Sequence, residues 1–558
     1  VSLKSTAEQV VGEFVEKYRP LDTKLREAWF RYTSTGDKKA SEEQEKLELA
    51  IRTLESDPQR FTVLKELYAK RDELGDPLLK RQVELLYLGY LENQVPAEKL
   101  KKLTALEREV QETFNDYRPI VDGKKLTPVD VSHAFQDSKD AVYLEKVWKA
   151  QHLVGALVES KYRELVELRN EIARDLGFAN YVELTTTTSE FNLKELHTFY
   201  RDIKKLTDKP FKKLKEKFLD PKLAAHFGIS VKELRPWHYQ NLFFQEVPNA
   251  AFEKVDLDRF YAGLDSQKAI DRTNEFYASM GIDSASIVKR SSLFPKEGKN
   301  PHAVAWFLSR DRTGSSLMSM NLPALPTPPK ANEVSTLVHE LSHDINYEAI
   351  LTNPALPYLL REPTMLTEAV AMLFEHQTLT KDWFMKLGAS EVDATSAAST
   401  VQLMDYVDQL IFLRWSSVIF CFETQFYADP QQDISTLWWK CKAEHQFMAR
   451  PDGWKNPDAL AKYHIPNGGP LQYTNYAIGR VANVQFAYLL ASKINQDPRG
   501  ASYFGQKDLG AWLMSDFLAQ GERLAWDEFI THSTGKPLSI DDWKKFYLKS
   551  GLEKKLFQ

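Results

Sequence analysis

Two cysteines, Cys421 and Cys441, are all that this 558-residue chain contains. They are too few for a disulfide framework and rule out a thiolate-rich zinc site made by one chain, so any metal is expected on histidine and carboxylate. No apolar run approaches the roughly 18 residues that span a bilayer. Basic charge is not in excess either: 73 Lys and Arg against 78 Asp and Glu give a net charge of -5. The two signs are interspersed, so no nucleic-acid partner is expected. Asn-x-Ser/Thr acceptors are missing, which fits a bacterial or cytosolic protein better than a glycosylated ectodomain. Val1 stands where an initiator Met is absent, compatible with a removed leader. A soluble protein, periplasmic or secreted, is the expectation, with a cytoplasmic one as the alternative. Glycine is also scarce, at 23 residues, and no internal repeat or low-complexity segment is present.

What is abundant favours helix. Aliphatic and aromatic residues make up 43% and charged residues 27%, the profile of a structured, soluble protein. Up to about residue 290 the apolar residues recur at helical spacing. In "LVGALVESKYRELVELRNEIARDLGF", Leu157, Leu165, Leu168, Ile172 and Leu176 form the repeat and Gly177 stops it. The pattern changes at "PHAVAWFLSRDRTGSSLMSMNLP". Here 302–309 and 315–320 read as strands and 310–314 as the turn of a hairpin. A mainly α chain with one small antiparallel sheet is expected, as a single catalytic unit over 1–558 with no obvious linker. Residues 300–480 hold the candidate site segments.

The helix after that hairpin, with Asn332 as a possible cap, carries "LVHELSHDIN" at 337–346. Val334, Leu337, Val338, Leu341 and Ile345 form one apolar stripe, and His339 and His343 share another face. Spacing of four brings two imidazoles to one tetrahedral zinc, and Glu340 between them can take a proton from the attacking water. The alternative is a solvated helix face. A third ligand is offered by Glu368, 25 residues past His343 in "REPTMLTEAVAMLFEHQ", where Pro363 suits a helix start and apolar neighbours make a buried carboxylate costly unless it is paired or bound to metal. Glu375, on the same helix face, could accept a hydrogen bond from a ligand imidazole.

With these segments the chain resembles the helical zinc peptidases that include the angiotensin-converting-enzyme and thimet-oligopeptidase families. "RNEIARDLGFANYVEL" and "PHAVAW" are similar to converting-enzyme stretches. "AKYHIPNGGPLQYTNY" resembles both families, its "KYHIP" the former and its spacing to Tyr473 and Tyr476 the latter. The resemblance implies one Zn2+ on His339, His343 and Glu368, with Glu340 as general base and a deep central channel between two helical halves. It also implies a lid of N-terminal helices over about 1–120 and short peptides as substrates. His464 and Tyr476 would stabilise the oxyanion; His302, Ala303 and Ala305 would hold the peptide as an added strand. Lys462, Tyr473 and Gln245 would grip a free C-terminal carboxylate. Release of C-terminal dipeptides is the reading favoured, with endo-acting cleavage or an inactive binding protein on the same scaffold as alternatives. Three positions depart: Ser342 replaces a glycine, Asn475 a chloride-binding arginine, and Leu471 marks the oligopeptidase loop length. Gly468 and Gly469 predict a hinge between His464 and Tyr476.

Overall fold

The computed structural model describes residues 2–252 and 255–558. It is mainly α, with two two-stranded antiparallel sheets. The chain forms two compact units: Val1–Gln94, Asp256–Val401 and Gly479–Trp543 make the first, and Val95–Val255, Gln402–Ile478 and Lys544–Gln558 the second. Among the described residues no helix is long and apolar enough to cross a membrane.

In the first unit, helix starts are written as Asp-Pro. Asp57 accepts from the Gln59 N–H at 2.9 Å and Asp76 from the Leu78 N–H at 3.0 Å, while Pro58 and Pro77 occupy first positions that need no donor. The Leu3–Thr35 helix lays Ala7, Val10, Val11 and Phe14 against Leu64, Leu67, Leu79, Val83, Leu86 and Tyr90. The Ala97–Asp116 helix lies in the second unit, so the segment expected as a lid divides between the two. A buried ion network joins the first helix to the rest of its unit. Asp22 accepts from Arg26 at 3.0 Å, Arg310 at 3.1 Å and the Tyr358 hydroxyl at 2.8 Å, and Glu362 pairs with both arginines.

The predicted hairpin is present and shorter than expected. Strands Val304–Phe307 and Ser316–Ser319 pair antiparallel, Val304 opposite Ser319 and Phe307 opposite Ser316. The motif helix, Ala331–Leu351, buries Val334, Leu337, Val338, Leu341 and Ile345 as the periodicity predicts. Asn332 is not its cap: the helix begins at Ala331, and the Glu333 carboxylate accepts from the Lys330 N–H at 2.7 Å. Nor does Pro363 open the next helix, which runs Thr367–Glu375.

In the second unit the long periodic stretch forms Val154–Asp175, and Gly177 follows it at φ 89°. Leu165, Leu168 and Ile172 are buried, but Leu157 is 58% exposed, because the buried stripe runs instead through Val154, Val158, Tyr162, Leu165 and Val166. A second sheet, Ile120–Val121 with Lys124–Lys125, was not expected. Its signal was the Asp122-Gly123 pair, both at positive φ, the turn that suits the twist of a two-residue hairpin. Cys421 and Cys441 form one disulfide, with Cα atoms 5.9 Å apart. It joins the Glu391–Ala428 helix to the Ile434–Gln446 helix.

Candidate metal centre and carboxylate-binding cluster

Five candidate residues converge in the first unit. His339, Glu340 and His343 come from the motif helix, and Glu368 and Glu375 from the Thr367–Glu375 helix. His339 Nε2 lies 3.2 Å from His343 Nε2 and 3.2 Å from Glu368 Oε2, and His343 Nε2 lies 3.5 Å from Glu368 Oε1. Ligand bonds of roughly 2.0–2.1 Å put tetrahedral corners about 3.3 Å apart, so the three side chains are spaced to share one ion.

Their protonation decides what belongs between them. Glu375 can only accept, so its 2.8 Å contact with His339 Nδ1 places a proton there and leaves Nε2 bare. His343 is oriented by a longer chain of bonds. Asn346 donates its amide N–H to the Leu518 carbonyl at 2.8 Å, which turns its oxygen to the Thr367 hydroxyl at 3.3 Å. With its hydrogen so directed, the Thr367 oxygen accepts from His343 Nδ1–H at 2.9 Å. Two bare imidazole nitrogens and a carboxylate therefore face one another, an arrangement that repels unless a cation sits among them. Burial alone would depress the His339 pKa, but Glu368 and Glu375 raise it to about 10, so without an ion a second proton on Nε2 supplies the positive charge that the gap demands. The donor set fits a divalent metal, and His339, His343 and Glu368 could hold it.

The surroundings correct one expectation. Glu368 is not buried among its apolar neighbours: 57% of its side chain is exposed, while Ala369, Val370, Leu373 and Phe374 fill the core on the other faces of the helix. The imidazoles, not a dry pocket, hold its carboxyl well below the usual range. Glu340 is half-buried, and burial raises its carboxyl above the ordinary value despite the two histidines. The Ala305 N–H faces that carboxylate, so the hairpin and motif helix meet there. Ser342, in place of glycine, is accommodated by donating back to the His339 carbonyl at 2.7 Å. His302 is exposed and Ala303 half-buried, just ahead of the first strand. The far edge of that strand has no partner strand among the described residues.

The other candidates gather in the second unit. Lys462 Nζ donates to Gln245 Oε1 at 2.7 Å and stands over the rings of Phe243, Tyr473 and Trp415 at 5.4, 5.6 and 5.8 Å. No carboxylate lies within ion-pair distance of it among the described residues, and Lys462 is only 8% exposed. Burial lowers its pKa to about 8. His464 lies 5.5 Å from Tyr473 between ring centroids, and Tyr473 lies 5.7 Å from Tyr476. Burial, then Lys462, keeps the His464 imidazole below its usual pKa, and its Nδ1 has no partner among the described residues. Tyr476 is half exposed.

The loop between these residues is held at both ends. Arg169 donates to the Gly468 carbonyl at 3.0 Å, and the buried Glu423 accepts the Leu471 N–H at 2.7 Å. Positive φ falls on Leu471, at 69°, and on neither glycine. Gly468, at φ -123°, is required for space: a Cβ there would lie 2.7 Å from the His464 carbonyl oxygen. Thr367, Asn346, Arg169 and Glu423 carry no sequence signature, since each acts through a partner distant in the chain.

The sequence model of peptidase family M2, described as angiotensin-converting enzyme, matches residues 2–542. The chain belongs to that family. It is thus a metallopeptidase, with peptides as its substrate class, in a family that is zinc-dependent in general. Of the two families named by resemblance, this is the converting-enzyme one. No curated protein sequence matches.

Proposed function

We propose that this peptidase is zinc-dependent and releases dipeptides from the C-termini of short, unstructured peptides. The observation that carries the specificity is the buried Lys462 ammonium, bonded to a neutral amide and walled by aromatic rings, with no carboxylate within ion-pair distance among the described residues and only the more distant Glu246 acting on its charge. A cation so placed is costly unless an anion joins it, and the free carboxylate of a peptide is such an anion. Gln245 and the protonated Tyr473 phenol, whose pKa burial pushes up to about 12, supply neutral donors beside it. A site that grips the terminus measures the cleavage point from that end.

Zn2+ held by His339, His343 and Glu368 would supply Lewis acidity to the scissile carbonyl. Glu340 takes the proton of the attacking water and returns it to the leaving amine, a cycle that suits a carboxyl whose pKa is raised by burial. His464 N–H and Tyr476 O–H donate to the oxyanion as charge develops. His302, Ala303 and Ala305 receive the substrate as a strand along the open hairpin edge, which requires an extended peptide. The test is metal analysis together with mass spectrometry of peptide series with free and amidated C-termini. Dipeptide products from free acids alone support the reading. Internal cleavage indifferent to the terminus would replace it with endo-acting hydrolysis, and an intact series from metal-loaded protein would leave a binding scaffold.

A further inference from the structure

We propose that the Cys421–Cys441 disulfide is the oxidised form of a second metal site, which on reduction binds one divalent transition-metal ion through both thiolates, His445 and Glu444. Cys441, Glu444 and His445 stand at i, i+3 and i+4 on the Ile434–Gln446 helix, a spacing that puts three side chains on one face. Cys421 meets them from the Glu391–Ala428 helix. The Cys421 sulfur, a Glu444 oxygen and a His445 ring nitrogen lie within 4.8 Å of one another, and the Cys441 sulfur is bonded to that of Cys421. Two sulfurs, one imidazole and one carboxylate make a complete four-coordinate set for zinc. Two cysteines are too few for a thiolate-rich centre, but this set needs only two.

An independent observation points to the same place. The His445 side chain is buried, yet neither ring nitrogen makes a hydrogen bond among the described residues. Nδ1 is a buried orphan, and Nε2 comes no closer than 4.0 Å to Glu444 Oε1. A buried imidazole without a partner calls for an explanation, and a ligand bond provides one. The surroundings are prepared for thiolates as well. Gln425 Nε2–H donates to the Cys421 sulfur at 3.1 Å and lies 3.9 Å from that of Cys441. Arg414 fixes the helix end by donating to the Glu444 carbonyl at 3.2 Å and to that of His445. Glu444 is exposed while the other three ligands are buried, so an ion would enter from its side.

The redox step balances with a thiol as reductant. Two equivalents of thiol give up two electrons and two protons and leave as their own disulfide; the Cys421–Cys441 bond breaks to two thiols, and metal binding then displaces their two protons.

Cobalt(II) is the probe, because thiolate ligation gives it a near-ultraviolet charge-transfer absorption that a two-histidine, one-carboxylate centre lacks. Full-length protein is compared before and after phosphine reduction, with the reductant removed and free thiols counted. Reduced protein should bind one more Co2+ than oxidised protein and gain that absorption. Cys441→Ser should lose both, and His445→Ala should weaken the added site by at least the roughly 10-fold that a lost outer partner costs. Reduced protein with two free thiols and no added Co2+ overturns the proposal. So does absorption that survives in Cys441→Ser, or helical circular dichroism that collapses on reduction and is not restored by Co2+. Peptide hydrolysis plays no part in this readout, so its failure leaves the catalytic reading untouched.

Discussion

Methionine has nearly the shape of lysine without its charge, so Lys462→Met isolates what the buried ammonium does. Burial lowers the Lys462 pKa from 10.5 to about 8, with Glu246 opposing only in part. That fall corresponds to a cost on the order of 3 kcal/mol for keeping the charge in the folded state. Above pH 10.5 the lysine is neutral in both states and the cost vanishes. As pH drops from there toward 8 the unfolded chain takes up the proton first, and below 8 the full cost is present. At pH 7 the variant should therefore be more stable, by up to that amount, with an upward shift in its thermal melt. Function should move the other way. A charge-assisted hydrogen bond to the substrate carboxylate is worth about 1.5–3 kcal/mol, so kcat/KM for free-acid peptides should fall roughly 10- to 150-fold, mainly through KM. The assay pairs peptides that differ only in a free or amidated C-terminus. Wild type should prefer the acid, losing that preference as pH rises through about 8, and the variant should treat the two alike. An acid preference that survives Lys462→Met, or a variant less stable than wild type at pH 7, would refute the reasoning.

Glu340→Gln should keep its metal, measured by emission spectrometry, and lose about 10²- to 10⁴-fold in kcat; near-normal turnover by metal-loaded protein would rule Glu340 out as the base. Thr367→Val removes the oxygen that accepts from His343 Nδ1–H and should weaken metal affinity roughly 10- to 100-fold in chelator competition, whereas unchanged affinity would mean that the hydroxyl does not orient the ligand. Glu423→Leu leaves the Leu471 N–H buried without its acceptor and should cost about 1–3 kcal/mol in denaturant melts. Adding Leu471→Gly, which removes the Cβ strain at φ 69°, should then recover about 1 kcal/mol, and a double variant no more stable than the single one would contradict the strain.

The parts of this protein legible in its sequence are those whose partners are local or whose chemistry is rare. Val334, Leu337, Val338, Leu341 and Ile345 announce the motif helix because one turn repeats the last, and the same spacing sets His339 beside His343. The hairpin was legible from strand-like runs either side of a turn. Where the expected pattern fails, a neighbouring stripe of the same helix faces the core. Leu157 has the spacing of a core residue, but the helix turns Val158 and Tyr162 inward instead.

Glu368 teaches the finer lesson about the site. Its apolar neighbours suggested a carboxylate forced into the core, yet the helix buries Ala369, Val370, Leu373 and Phe374 and leaves Glu368 on the exposed side. What holds it in place is the pair of histidines across the gap, each oriented from behind, one by Glu375 and the other by Thr367 and Asn346. Spacing alone could indicate the candidate ligands, since zinc accepts few residue types. It could not indicate Thr367 or Asn346, because threonine and asparagine serve equally as caps and surface residues. The same holds for the loop at 468–471. A glycine pair looks like freedom, but here Gly468 makes room for a carbonyl, Leu471 adopts the left-handed backbone, and Arg169 and Glu423 hold the two ends. Conformational permission written in the sequence is therefore used for close packing, and the segment that launches Tyr473 and Tyr476 is tied at its two ends by the hydrogen bonds of Arg169 and Glu423.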